Sequence, residues 1–299
     1  MKKPNFIIAG FPKCGTTSLH HYLNEHPQIF MPSQKELHFF TYEILSRFNN
    51  GPKDDIVKNT QIENSEKYLS FYENVKNEIA IGDASPSYIN YPEQFLKIKK
   101  YLDNPKFIIV LRDPINRAYS NYLHLKREQR ETLTFKEAIN RENNRIKNKY
   151  SDFWYYKFNS TYYDKIVKAK KVFKDVLILT SEELHENHGA TMKKVYKFLD
   201  VDCDFKSKQH SNKFNKGGYY KKNIFTKIIF QPSKFKNLIK KVIKPTPSLK
   251  ILLAQVVSVF SVKTEEIDRE TMLYLTKYFK EEVEKLKSLS INTSNWREY

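Results

Sequence analysis

The chain has 299 residues, 40% of them hydrophobic and 14% aromatic, so it can bury a sizeable core and is not globally disordered. Seven glycines and 12 prolines exclude collagen-like and low-complexity proteins, and two cysteines exclude a disulfide framework. The net charge of +18 is concentrated between Phe205 and Lys263, a segment with 14 lysines and no Asp or Glu. Such asymmetry indicates an anionic partner (a nucleotide, nucleic acid, polyanionic glycan or membrane surface) or else a solvated lysine face.

Four short apolar runs predict buried parallel strands: Asn5 to Gly10, Ile79 to Asp83, Phe107 to Leu111 and Val176 to Thr180. Helical patterns follow three of them, at Thr16 to Leu23, Pro114 to Arg127 and Ala190 to Leu199. Alternating strands and helices predict an α/β fold, a doubly wound parallel sheet flanked by helices. With no composition boundary in the chain, we expect a single domain over residues 1–299.

Two further segments have clear patterns. The polar stretch from Glu43 to Thr60 predicts a surface loop. Near the end, Thr264 can cap an amphipathic helix whose apolar stripe is Ile267, Leu275, Phe279, Val283 and Leu286. No apolar run reaches the ~20 residues of a membrane span. Together with the low cysteine count, this predicts a soluble, cytoplasmic protein.

The first predicted strand leads into Gly10-Phe-Pro-Lys-Cys-Gly-Thr-Thr-Ser18, where a helix is predicted to begin. A strand, a glycine-bounded loop and a helix N-terminus form an anion cradle, because backbone N–H groups and the helix dipole converge on one point. The glycines have Walker-A spacing, but Thr16 follows Gly15 and the lysine, Lys13, lies inside the loop. This arrangement disfavours an ordinary ATPase or GTPase, while a generic tight turn stays open.

A second candidate anion site follows the third predicted strand, in Arg112-Asp-Pro-Ile-Asn-Arg-Ala-Tyr-Ser120. Arg112 is placed at the carboxyl end of the strand, where ligands bind in open α/β sheets. Ser120 lies about two turns into the following helix, so both side chains can grip one phosphate. Two anion sites on neighbouring strand ends predict a ligand with phosphates at both ends, although a surface pair of Arg112 with Asp113 is the simpler alternative.

These paired motifs resemble those of the sulfotransferase superfamily, whose members use 3′-phosphoadenosine-5′-phosphosulfate (PAPS). The resemblance implies that Lys13, Gly15, Thr16, Thr17 and Ser18 hold the 5′-phosphosulfate. It also implies that the strand-end arginine and the helical serine of the second motif hold the 3′-phosphate. No metal is implied, and no Cys/His cluster in the sequence has metal-ligand spacing.

Three other segments resemble the glycan-modifying branch, which includes heparan sulfate sulfotransferases. Lys35-Glu-Leu-His-Phe-Phe40 is similar to the segment that carries the catalytic glutamate of that branch. Gly82-Asp-Ala-Ser-Pro-Ser-Tyr88 is similar to its acceptor-side segment, but Asp83 and Ala84 replace a glutamate and a lysine. Phe214-Asn-Lys-Gly-Gly-Tyr-Tyr220 is similar to the loop that closes over the nucleotide, which implies that Gly218 and Tyr219 contact the donor.

Sulfuryl transfer needs a base for the acceptor proton and a cation for the charge that develops on the leaving oxygen. Lys13 is the predicted cation. Glu36 is the predicted base and His38 the second candidate, although an exposed glutamate paired with Lys35 and a packed histidine are the simpler interpretations. The predicted activity is in-line transfer from PAPS to a hydroxyl or amine of a carbohydrate, with an anionic glycan as the expected acceptor.

Two other function classes remain open in the sequence. A small-molecule kinase of the P-loop type would use ATP and Mg²⁺, but it fits the displaced lysine poorly. A module that binds nucleic acid or an anionic membrane would use the lysines and aromatic residues of 205–263, but it leaves both phosphate motifs unexplained. We therefore expect no nucleic-acid partner. Within the segment, Lys216 to Lys222 are expected to serve the donor and Thr226 to Lys250 to form one wall of the acceptor cleft, with an anionic membrane surface as the rival use.

Overall fold

The computed structural model describes residues 2–57, 61–206, 219–220, 261–262 and 266–299. Its main sheet has five parallel strands in the order β2-β3-β1-β4-β5. In chain order they are β1 (Phe6–Ile8), β2 (Ile29–Phe30), β3 (Ala80–Asp83), β4 (Lys106–Leu111) and β5 (Val176–Thr180). The predicted parallel α/β sheet is confirmed. The two-residue strand β2 was not predicted, because so short a run has no periodicity to read.

The helices that flank the sheet are α1 (Thr16–Leu23), α2 (Tyr42–Leu45), α3 (Asp54–Val57), α4 (Ser65–Ser70), α5 (Phe95–Tyr101), α6 (Pro114–Arg127), α7 (Phe135–Asn140), α8 (Glu142–Lys147), α9 (Tyr163–Val172), α10 (Ser181–Glu186), α11 (His188–Phe198) and α12 (Arg269–Ser288). A separate antiparallel pair joins β6 (Tyr219–Tyr220) to β7 (Ser261–Val262). Helices α1 and α6 have the predicted bounds. Across the described residues, no helix is long and apolar enough to cross a membrane.

The centre of the sheet is the scaffold of the site. Strands β1 and β4 are buried on both faces, since Ile7, Ile8 and Ile108 are inaccessible to solvent. Beyond β1 the chain passes so close to β4 that a Cβ at Gly10 would lie 1.9 Å from the amide nitrogen of Val110. Only glycine allows this approach, which brings the loop after β1 beside the end of β4.

Helix α6 is held from two sides. Its Asp113 cap accepts a hydrogen bond from the backbone of Asn116 at 2.7 Å, and Pro114 occupies the first turn. Its apolar face contributes Ile115, Ala118 and Leu125 to a second hydrophobic cluster shared with α7 and α12. A helix anchored in this way can present polar side chains to a ligand without moving.

The structure corrects three boundary predictions. The described part of the segment Glu43 to Thr60, residues 43–57, is not a simple surface loop. It contains most of α2 and all of α3, and Asp54 is fully buried among hydrogen-bond donors. Helix α12 begins at Arg269 rather than near Thr264, because Asp268 Oδ1 accepts the amide of Thr271 at 2.9 Å and caps it there. Its stripe from Leu275 to Leu286 is buried as predicted. Helix α11 begins at His188, two residues before the predicted start.

Candidate active site

The loop between β1 and α1 has the geometry of an anion cradle. Gly15, at the N-cap of α1, has φ of 98°, and Lys13 has φ of 71°. Positive φ is uncommon for a side-chain-bearing residue and marks a conformation that the surroundings must stabilise. The first turn of α1 contains no acidic residue, so its amide groups and the helix dipole face a site without a negative charge from that turn.

Two arginines at the end of β4 and in α6 fix this loop. Arg112 Nη1 donates to the carbonyl oxygen of Lys13 at 3.3 Å. Arg117 is fully buried and donates through Nε to the carbonyl oxygen of Pro12 at 3.0 Å. The backbone of Arg112 is held in turn by the hydroxyl of Tyr162, at 3.0 Å. The two predicted anion motifs are therefore coupled through backbone carbonyls of the loop.

The C-terminal residues brace the same region. Arg297 Nε and the hydroxyl of Tyr299 donate to Asp113 Oδ2 at 2.9 and 3.0 Å. Trp296 Nε1 donates to Glu182 Oε2 at 3.1 Å, and Glu182 Oε1 accepts the amide of Asp113 at 3.3 Å. These contacts of the C-terminal residues join the start of α6 to α10, so they fix the strand end that carries Arg112.

One cleft of about 550 Å³ brings most of the predicted site together. Its lining includes the predicted residues Lys13, Gly15, Thr16, Thr17, Ser18, Glu36, Arg112 and Ser120. His38 does not line it and lies behind Glu36. Gly218 lies outside the described residues. Tyr219 is described only through its backbone, in β6, which lies beside α6.

Three cations face this cleft without an acidic partner. Over the described part of the chain, no carboxylate lies within 4.0 Å of Lys13, Arg112 or Arg127. Burial lowers the pKa of Lys13, and the charge of Arg127 lowers it further, to about 8, although Glu36 acts in the opposite direction. Glu36, Glu182 and Glu186 also line the cleft, but none of them pairs with these three cations. Cations without an ion-pair partner in a concave site indicate an anionic ligand.

His124 was missed in the sequence, and it lies between two of these cations. Its Nδ1 is 3.5 Å from Lys13 Nζ and 2.8 Å from Arg127 Nη2, while Nε2 is 3.4 Å from Glu128 Oε1. Burial lowers the pKa of His124, and Lys13 and Arg127 add to the effect against the opposing influence of Glu128. The imidazole is therefore neutral at pH 7. The tautomer with its proton on Nε2 donates to Glu128 and accepts from both cations.

Glu36 lies on the opposite wall of the cleft, with His38 behind it. Both residues have backbone conformations with positive φ, of 65° and 53°. Glu36 is half-exposed, with Oε1 2.5 Å from Lys35 Nζ and Oε2 3.9 Å from His38 Nε2. Partial burial raises the pKa of Glu36, but Lys35 and His38 outweigh it and hold the pKa well below its ordinary value. Glu36 is therefore an ionised carboxylate that faces the cleft.

The segment after β3 supports this wall through hydrogen bonds to His38. Asp83 is fully buried and accepts hydrogen bonds from Tyr68, Tyr88 and Ser85 at 2.8, 2.9 and 2.6 Å. The hydroxyl of Ser85 accepts the amide of His38 at 3.1 Å, and that of Ser87 lies 2.7 Å from His38 Nδ1. Asp83 therefore organises the backbone under Glu36 and is too buried to contact an acceptor itself.

Comparison with known proteins agrees with this geometry. The sequence profile of the sulfotransferase family matches residues 4–205. Membrane-associated sulfotransferase kil1 of Dictyostelium discoideum is 40% identical over 119 residues, which cover 40% of this chain and 22% of that protein. Human carbohydrate sulfotransferase 15 is 31% identical over 167 residues, which cover 46% of this chain and 30% of that protein. The matches thus span less than a third of the length of these curated relatives.

A solved structure resembles the whole chain. The sulfotransferase from Alicyclobacillus acidocaldarius superposes with a TM-score of 0.77 at 27% identity, over 99% of this chain and 100% of that one. The family profile covers well over half of the sequence, including β1 to β5 and the described walls of the cleft. The chain belongs to the sulfotransferase family, as its two anion motifs indicated.

Proposed function

We propose that this sulfotransferase transfers a sulfuryl group from PAPS to a hydroxyl or amine of a carbohydrate. The observation that carries the proposal is the cleft itself, where Lys13, Arg112 and Arg127 face a helix N-terminus with no carboxylate within 4.0 Å of them in the described residues. Such a site favours a ligand that is anionic at more than one point. The carbohydrate sulfotransferases among the relatives support a sugar acceptor.

The two ends of the donor are assigned to two groups of residues. Gly15, Thr16, Thr17 and Ser18 supply the amides and hydroxyls for the 5′-phosphosulfate, together with Lys13. Arg112 and Ser120 supply the guanidinium and hydroxyl for the 3′-phosphate. We further propose that Gly218 and Tyr219 close over the nucleotide, which is supported by the position of β6 beside α6.

The reaction forms a bond from the acceptor oxygen or nitrogen to sulfur and breaks the bond from sulfur to the bridging oxygen. Glu36, already ionised, takes the proton of the acceptor, while His38 orients it from behind. Lys13 stabilises the negative charge that develops on the bridging oxygen as it leaves with 3′,5′-adenosine bisphosphate (PAP). His124 holds the amine of Lys13 at the edge of the cleft before the donor binds.

The direct test is incorporation of ³⁵S from labelled PAPS into a panel of chondroitin, heparosan and neutral oligosaccharides, with Glu36→Gln as the control protein. We expect label in at least one carbohydrate, and a loss of it with Glu36→Gln while PAP still binds. A protein that binds PAP but labels only non-carbohydrate acceptors would contradict the proposed acceptor class. A protein that neither binds PAP nor transfers label would contradict the proposed donor.

A further inference from the structure

One face of α6 lines the cleft. Ser120, His124 and Arg127 are spaced by four and three residues, so they share one side of the helix, and all three line the cleft. At 1.5 Å of rise per residue, Arg127 lies roughly 10 Å beyond Ser120 along the helix axis. The three side chains therefore lie at three successive levels along the same cleft.

Two of these levels already have a group of the donor proposed for them. Ser120 belongs with Arg112 at the end proposed for the 3′-phosphate. One turn later, His124 meets Lys13 Nζ at 3.5 Å, so this level is where the lysine meets the bridging oxygen of the donor. Arg127 lies one further turn along, past Lys13 and away from Arg112. It therefore faces the part of the cleft that a donor held by the other two levels leaves open.

Arg127 has the chemistry of an unused anion receptor. Its hydrogen bond is to His124 Nδ1, at 2.8 Å, and within the described ranges no carboxylate lies within 4.0 Å of it. Arg127 is partly exposed and lines the cleft. Arginine binds planar oxyanions through two parallel hydrogen bonds, which gives it directional preference as well as charge.

We propose that Arg127 binds an anionic substituent of the acceptor, a carboxylate or sulfate on the sugar, and so selects acidic over neutral carbohydrates. The inference rests on the proposed function, because it takes the donor to occupy the levels of Ser120 and Lys13. Phe153 lines the same end, with its ring centroid 5.2 Å from that of His124, and gives the sugar an apolar surface beside the charge. Glu36 lines the cleft too, within reach of the acceptor proton.

The test compares sugars that differ only in charge, with the cleft already filled by PAP. Isothermal titration gives the dissociation constant for p-nitrophenyl β-D-glucuronide against the β-D-glucoside, and for p-nitrophenyl N-acetylglucosaminide 6-sulfate against its unsulfated form. We expect wild type to prefer at least one anionic sugar by about 10- to 100-fold, the usual strength of a hydrogen bond to a charged group. The pair that shows the preference identifies carboxylate or sulfate.

Arg127→Gln should remove that preference, Arg127→Lys should retain part of it, and the exposed Arg141→Gln should leave it unchanged. PAP affinity should stay within about threefold throughout, since the contacts proposed for the donor do not include Arg127. Equal binding of charged and neutral sugars by wild type would overturn the proposal, as would a preference that survives in Arg127→Gln. A matching loss of PAP affinity would place Arg127 on the donor instead. Absence of PAP binding to wild type would overturn the proposed function first.

Discussion

Two groups of cationic side chains in this molecule differ in whether they have carboxylate partners. In the first, which we call the Asp54 cluster, Arg130 pairs with Asp54 and Glu128, and Arg145 pairs with Glu131 at 2.8 Å. The second group is the cleft, where Arg112, Arg127 and Lys13 have no carboxylate within 4.0 Å in the described structure.

The comparison distinguishes charges that are paired within the fold from charges that are available to a ligand. A buried charge is tolerated when partners repay its desolvation, and the side chains of Asp54 and Arg130 are 0% and 2% exposed with such partners at hand. In the cleft the charges repel one another, which is why Arg127, Arg117 and Arg112 all lower the pKa of Lys13 after burial does. A ligand with several negative charges offsets this repulsion, and that relief favours its binding.

The largest expected effect is that of replacing Glu36, the proposed base. Glu36→Gln keeps the shape of the side chain and removes the base, so kcat should fall by about 10²–10⁴, the usual contribution of general-base catalysis. PAP affinity should be unchanged, because the contacts proposed for the donor do not include Glu36. Steady-state kinetics with PAPS, together with titration of PAP, separate the two quantities. Near-normal turnover, with His38→Ala inactive, would identify His38 as the base instead.

A matched pair of substitutions tests the contrast between the groups. Arg130→Met removes one partner of a buried ion pair and should lower the free energy of unfolding by about 3–5 kcal/mol. Arg127→Met, three residues earlier, removes a cation that repels Lys13 and should change it by less than about 0.5 kcal/mol. Urea unfolding monitored by tryptophan fluorescence measures both. Equal destabilisation would show that Arg127 is structural and would remove the distinction.

Lys13→Met should lower kcat by about 10²–10³, which is typical when one electrostatic stabiliser of a transition state is lost. Binding of PAP should weaken much less, because the amides of the first turn of α1, which we propose for the 5′ end of the donor, are unchanged. Single-turnover rates at saturating PAPS measure the chemical step directly. If the loss were in affinity alone, Lys13 would be a binding residue without a role in the leaving step.

The pKa of Lys13 gives a smaller, pH-dependent effect. With a pKa of about 8 in the free protein, the lysine loses its charge as pH rises through 8, and an anionic ligand restores it. PAP affinity should therefore fall by up to about tenfold between pH 7 and 9, since at pH 9 most of the free protein must first take up a proton. Titrations in buffers of different ionisation enthalpy should show that proton uptake. Lys13→Met should show neither effect.

Local signals in the sequence predicted the parts of the site that are contiguous in the chain. The phosphate loop, the bounds of α1 and α6, and the strand end at Arg112 all follow from glycine spacing, periodicity and a proline at a helix start. His124 and Arg127 were missed, although their spacing from Ser120 along a predicted helix was available. The contact of His124 with Lys13 joins residues 111 positions apart, and no local sequence pattern indicates such a contact.

The polar segment that contains Asp54 misled the sequence analysis for the same reason. Its partners, Arg130, Ser151 and Trp154, lie 76 to 100 residues away, so nothing nearby showed that this carboxylate would be buried. The lysines expected to serve the donor and the acceptor, from Lys216 to Lys250, lie outside the described residues, so these expectations stay predictions. The predicted cytoplasmic location stays a prediction.

The most direct test of the account is whether the cleft binds a nucleotide by both of its ends. Isothermal titration of wild type and Arg112→Gln with PAP, with adenosine 5′-monophosphate and with ATP plus Mg²⁺ measures this. We predict that wild type binds PAP at least about tenfold more tightly than either other nucleotide, and that Arg112→Gln loses its preference over the monophosphate. Equal affinity of wild type for PAP and the monophosphate, or tighter binding of ATP with Mg²⁺, would contradict the account.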